Sequence, residues 1–189
     1  MAAVTTTGAP AAPANARTAA AVVSRAESWW FPPIALGRVA ALRLLAYLFI
    51  PVDVILTTSW IAEHKYVPTD WFRPVRLARI VHLPAPTYDG VTTVRALLLA
   101  AAVVAAVLAI AGAGRALRVA GVVVAVLYLW WMLIGQSYGK VDHDRFAFVL
   151  MLFVLPTVGT ARLGDRTPSE RAGWAVRMVQ IGVVATYFG

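Results

Sequence analysis

Ionisable side chains set inside long apolar runs are the first residues in this sequence that could do chemistry. Arg43 lies about nine residues into the run Ile34 to Thr57, and Asp53 follows ten positions later. An arginine at the centre of a bilayer costs roughly 2.5–3.5 kcal/mol, so Arg43 must face other helices and find acceptors there. Ten residues of helix separate the two groups by about 15 Å and rotate them apart, so they cannot pair with each other. Two readings are open. Arg43 is an interhelical tie and Asp53 an interfacial carboxylate, or both bind a substrate.

Asp142-His143-Asp144 is the second candidate. Two carboxylates beside an imidazole favour its protonated form and can orient it for acid–base work. The same aspartates at a helix start would cap free amides and complement the helix dipole. Trp130, Trp131 and Tyr138 either stack on a flat ligand such as a quinone or form an aromatic belt at the headgroups. There is no cysteine, so thiol catalysis, thiolate metal sites and disulfides are excluded. No His-x-x-x-His spacing, glycine-rich phosphate loop or nucleophile elbow occurs, and metal binding is not expected.

The elements that must position these groups are membrane spans. The chain is 60% hydrophobic and 14% charged over 189 residues, with a mean hydropathy of +0.73. A soluble domain carries about 25% charged residues, so this chain has too few to cover itself with a polar surface. The expected fold is all-α, a multi-pass transmembrane bundle of four spans plus a shortened fifth. The spans are Ile34 to Thr57, Val91 to Gly112, Leu117 to Ile134, Phe146 to Thr160, and a stretch from Ala175 still running at Gly189. The fourth is short and must recruit its flanks, snorkel Arg145 and Arg162 to the headgroups, or thin the bilayer. The fifth falls short of the roughly 20 residues a span needs, so the chain is expected to be an N-terminal piece of something longer.

Residues 1–27 are rich in Ala, Thr and Pro and read as a disordered tail preceding one domain, 28–189. Pro51 should bend the first span, and Gly112 to Arg115 should turn the second into the third. Between the first two spans, four prolines forbid a continuous helix, leaving a short interfacial one within Trp71 to His82.

The formal charge is +8, but the basic residues stand singly without interleaved aromatics, which excludes nucleic acid as a partner. They read as topology instead. With the N-terminus inside, ten arginines and three acids lie on the cytoplasmic side, against seven basic residues and six acids outside. The lipid bilayer is thus the expected partner and the cell membrane the expected location. His64, His82 and His143 fall outside.

The order of these features resembles the HTTM family, the horizontally transferred transmembrane domain, which includes the membrane portion of vitamin K-dependent gamma-carboxylase. Leu42-Arg43-Leu44-Leu45 with Asp53 is similar to the family's arginine-to-aspartate pattern. His82-Leu83-Pro84 resembles its leucine–proline entry to the second span, and Trp130 followed by Lys140-Val141-Asp142-His143 its aromatic stretch and histidine motif. Val176-Arg177-Met178-Val179-Gln180-Ile181 with Tyr187-Phe188 looks like its arginine–glutamine–tyrosine helix. Asp142 stands where the carboxylase has asparagine, and the site lysine and lumenal portion of the carboxylase lie beyond this chain. The resemblance implies a quinone-linked activity at the outer face. A reduced quinone would be oxygenated to a strong base that removes a carbon-bound proton. His143 would be the catalytic residue, polarising or protonating an oxygen, and Arg43, Asp53 and Trp130 would bind substrate. The alternative is a non-catalytic membrane protein resembling the DoxX and MauE types, which accompany redox or maturation proteins. The incomplete catalytic set favours that reading.

Overall fold

A computed structural model describes residues 29–139 and 143–188. The tail expected at 1–27, Asp142 and Gly189 lie outside these residues. A two-residue strand β1 (Ile34–Ala35) leads into α1 (Leu36–Val52), which continues as a π-helical turn, Asp53–Thr57. A connection containing 3-10 turns Ser59–Tyr66 and Thr69–Trp71 and the short α2 (Arg76–Ile80) reaches α3 (Tyr88–Ala111). Then come α4 (Gly114–Gln136), a 3-10 turn His143–Arg145, α5 (Phe146–Val154) with a 3-10 turn Leu155–Val158, β2 (Pro168–Ser169) and α6 (Glu170–Phe188).

Among the described residues three helical segments are long and apolar enough to cross a membrane: Leu36–Thr57, Tyr88–Ala111 and Gly114–Gln136. Their boundaries follow from local chemistry. The Thr87 hydroxyl accepts the Gly90 amide at 3.1 Å and caps α3, while Gly112, left-handed at φ 67°, ends it. α3 buries small residues, Ala102, Ala105, Ala106 and Ala109, and α4 buries Ala125 and Gly121, the latter against Tyr47 of α1 and Pro156. Lipid is as apolar as a leucine side chain, so close backbone approach and dispersion hold such helices together rather than hydrophobic transfer. The opposite faces leave Leu97, Val103, Val107 and Ile110 of α3 and Val119, Val122 and Val126 of α4 exposed. In water that surface would aggregate; in a bilayer it is solvated.

Two expectations for the later spans change. α5 has only nine α-helical residues, about 14 Å against a hydrocarbon core of about 30 Å. Pro156 has no amide to continue the helix, so the chain tightens into a 3-10 turn that Gly159 ends at φ 89°. Phe146 to Thr160 is therefore not a regular full-length span, and the described residues hold three long apolar helices, not four. α6 begins at Glu170, five residues before the expected start at Ala175, and runs for 19 residues. Its start is set by Ser169, whose hydroxyl accepts the Ala172 amide at 3.3 Å, and by an acid in the first turn. The interfacial helix within Trp71 to His82 is present but shrinks to the five residues of α2. Regular α geometry in α1 ends one residue after Pro51, where the π-helical turn starts.

Pairing of β1 with β2, Ile34 against Ser169 and Ala35 against Pro168, gathers the starts of α1 and α6. Leu36 and Gly37 donate their amides to the Thr167 and Asp165 carbonyls at 3.0 and 2.7 Å. A side chain at Gly37 would strike the Asp165 carbonyl oxygen at 2.8 Å, so only glycine lets the loop lie against α1. The Arg162 side chain lies against Gly112, which brings the α3–α4 turn to the same end. The Ser59–Tyr66 turn packs on both α3 and α4.

Candidate functional site

The final residues of α1 and their π-helical turn put three polar side chains in succession, Asp53, Thr57 and Thr58. Asp53 is fully buried. Tyr128 of α4 donates its hydroxyl to Asp53 Oδ2 at 2.7 Å, and Thr58 donates toward the same oxygen at 3.3 Å. Arg145 Nη2 lies 3.0 Å from Oδ1, and the Thr57 hydroxyl contacts that oxygen too. Arg145 also donates to Thr57 at 3.2 Å, and Trp131 donates its indole N–H to Thr58 at 3.0 Å. A carboxylate offers about four acceptor positions, and all are used. Isolated, this charge would be prohibitive to bury; paired with a guanidinium and three hydroxyls, it holds α1, α4 and the start of α5 together. Phe148 closes the apolar side, edge-on to Tyr128 at 5.0 Å and to Phe49 at 5.1 Å.

Arg43, one of the expected substrate-binding residues, is only 2% exposed. Its Nη2 and Nε donate to the Leu155 carbonyl at 2.5 and 3.2 Å, and Nη1 donates to the Gly159 carbonyl at 2.8 Å. Those carbonyls end the α5 segment, where backbone acceptors are free and a cation complements the dipole. The ten-residue interval from Arg43 to Asp53 thus meets the ten-residue interval from Leu155 back to Arg145. α5 is too short to hold a register by packing alone, and it is pinned to α1 at both ends about 15 Å apart.

The four expected site residues do not form one cluster. Arg43 and Asp53 occupy opposite ends of the α1–α5 contact. Trp130 is half-buried against the core, and the polar contact belongs to its neighbour Trp131. His143 is exposed in the turn preceding α5. It lines a cavity of about 300 Å³ with Phe146 and with Ala185 and Thr186 of α6. Asp144 lies 3.4 Å from Arg145 rather than capping α5, whose capping residue Arg145 makes no side-chain cap bond.

Sequence reasoning missed Tyr128, Thr57, Thr58 and Arg145. Tyr128 and Trp131 are three apart on α4, and Asp53 and Thr57 four apart after α1, spacings that share a helix face. Polar groups repeated at that interval in an apolar run were the available signal.

An aromatic group sits beside this network. The His64 ring lies 4.3 Å from Tyr138 and 5.5 Å from Trp60, and Phe72 lies 5.7 Å from Tyr138. His64 Nδ1 is 3.2 Å from the Ile61 carbonyl. Burial pushes the imidazole below its usual range, against hydrogen bonds to the Ile61 and Trp60 backbone that raise it. Burial pushes the Tyr138 phenol up. No cluster of three or more metal-ligating side chains occurs among the described residues.

Three apolar segments of this length make the chain compatible with an integral, multi-pass membrane protein. No protein-family profile, curated protein or solved structure matches the chain.

Proposed function

We propose that the protein is a multi-pass cell-membrane protein of the HTTM type, N-terminus inside, which binds a quinone-like molecule at its outer end through His143. The observation that carries this reading is the double pinning of α5. By fixing Arg145, it sets His143, two residues earlier, at the cavity against α6. The residues there suit a small aromatic ring with polar edges. Phe146 offers an apolar face, the imidazole a donor or acceptor, and the Thr186 hydroxyl, which donates to the Gly182 carbonyl at 2.8 Å, an acceptor. At about 300 Å³ the cavity lies at the lower end of the ligand-pocket range. A bound reduced quinone supplies the reducing equivalents in the carboxylase-like reading. His143 would hold or deliver a proton at a ligand oxygen, with Phe146 and α6 lining the cavity beside it. Purified protein should bind a reduced naphthoquinone, and His143→Ala should abolish binding while leaving the fold intact. Binding unchanged in that variant overturns the reading.

A second reading has its own support. Arg43 and Asp53 are spent on structural contacts, as expected of a non-catalytic partner of the DoxX or MauE type. Stable co-purification of an outer-face protein under gentle detergent extraction favours it; isolation of the protein alone counts against it.

A further inference from the structure

A further concavity lies away from the Asp53 network and the His143 cavity. It is a groove of about 940 Å³ on the outside of the bundle, between α3 and α4. Small side chains make the depression, Ala100 and Ala101 on one wall and Ala116 and Ala120 on the other. Leu97 and Leu127 lie along it, and Arg115 lines its end at the α3–α4 turn. From Arg115 to Leu127 the groove follows twelve residues of α4, about 18 Å. One leaflet of the hydrocarbon core is half of about 30 Å, so the groove runs from one headgroup region to near the bilayer centre.

We propose that this groove binds one anionic phospholipid, its acyl chain lying between α3 and α4 and its phosphate on Arg115. Arg115 is exposed and makes no hydrogen bond or ion pair among the described residues, so its donors are open to a headgroup. Arg118 and Arg162 lie near the same turn: Arg118 is 3.4 Å from a side chain placed at Gly159, and Arg162 packs on Gly112. Together they add a positive field that a zwitterionic lipid does not answer. The apolar walls take a chain of any composition; the arginine selects the headgroup. The inference rests on the chain residing in a membrane.

The test is native mass spectrometry of the full chain in detergent, titrated with phosphatidylglycerol or with phosphatidylcholine of identical acyl chains. One phosphatidylglycerol should bind about fivefold more tightly than phosphatidylcholine, the factor one arginine contributes beside an anionic headgroup. Arg115→Gln should remove most of that preference, whereas Arg171→Gln, outside the groove, should leave it intact. Ala100→Phe and Ala116→Leu, at exposed positions on opposite walls, should each weaken both lipids. Equal binding of the two lipids by the natural chain overturns the proposal. So does a preference indifferent to Arg115, or a dimer that Ala100→Phe dissociates without any change in lipid binding. Fractionation keeps the premise separate: a chain recovered from cells without membranes contradicts the membrane reading itself.

Discussion

Replacing Arg145 by glutamine removes the cation facing Asp53 and leaves a fully buried carboxylate with neutral donors only. Breaking a buried ion pair from one side costs about 3–5 kcal/mol. The Arg145 side chain is 21% exposed, so part of its charge is already answered by solvent, and the low end, about 3 kcal/mol, is expected. Asp53→Asn should cost less. It leaves a cation that can turn toward Asp144, 3.4 Å away, and keeps an oxygen for Tyr128. The double variant removes both charges, so its loss should be smaller than the sum of the single losses by about 2 kcal/mol, a coupling typical of direct partners. Reversible unfolding in mixed micelles, followed by tryptophan fluorescence, gives the four free energies. Additivity within about 0.5 kcal/mol would show that the pair is not coupled and that Asp53 does not position α5.

Other perturbations probe different contacts. Arg43→Lys keeps the charge but replaces a planar fork with a compact ammonium that cannot serve both carbonyls, and should lose about 2 kcal/mol in the same unfolding assay. Gly121→Ala puts a methyl 2.5 Å from the Tyr47 hydroxyl oxygen; it should cost about 1–3 kcal/mol, and Tyr47→Phe added to it should recover most of the loss. A lowered His64 pKa means the unfolded chain takes up a proton that the folded chain resists. Its contribution to stability is complete above the ordinary value of 6.5 and is lost as pH falls through the folded value. His64→Gln should therefore flatten the thermal midpoint between pH 7.5 and 5.5, and an unchanged pH slope would refute the assignment.

The parts of the fold written in composition were legible in the sequence. α3 and α4 are long, mainly apolar runs bounded by Thr87, Gly112 and Gly114, and their extents are close to those expected. α5 was harder, because a hydrophobic count over Phe146 to Thr160 gives no weight to Pro156 and Gly159, which end the helix. An apolar stretch counted from Ala175 leaves out the first turn of α6, which holds the charged Glu170 and Arg171, although an acid suits a first helical turn. In the candidate site, Arg43 and Asp53 stood out because burying charge in lipid is expensive. Their partners did not. Arg43 binds backbone carbonyls, which carry no sequence signature, and Tyr128 and Arg145 reach Asp53 only once α4 and α5 have docked. Trp130 and Trp131 are adjacent, and only the packing of α4 decides which indole meets Thr58.

A ligand site at His143 on the outer face requires the two ends of the bundle to lie on opposite sides of a membrane, with Asp53, Arg145 and His143 outside. The chain has no cysteine, so single cysteines can be placed at Glu63 and at Thr167, both exposed. Labelling intact cells with an impermeant maleimide should modify Glu63→Cys and spare Thr167→Cys until the membrane is opened. The reverse pattern would place His143 in the cytoplasm, and labelling of both in intact cells would contradict the spanning topology itself.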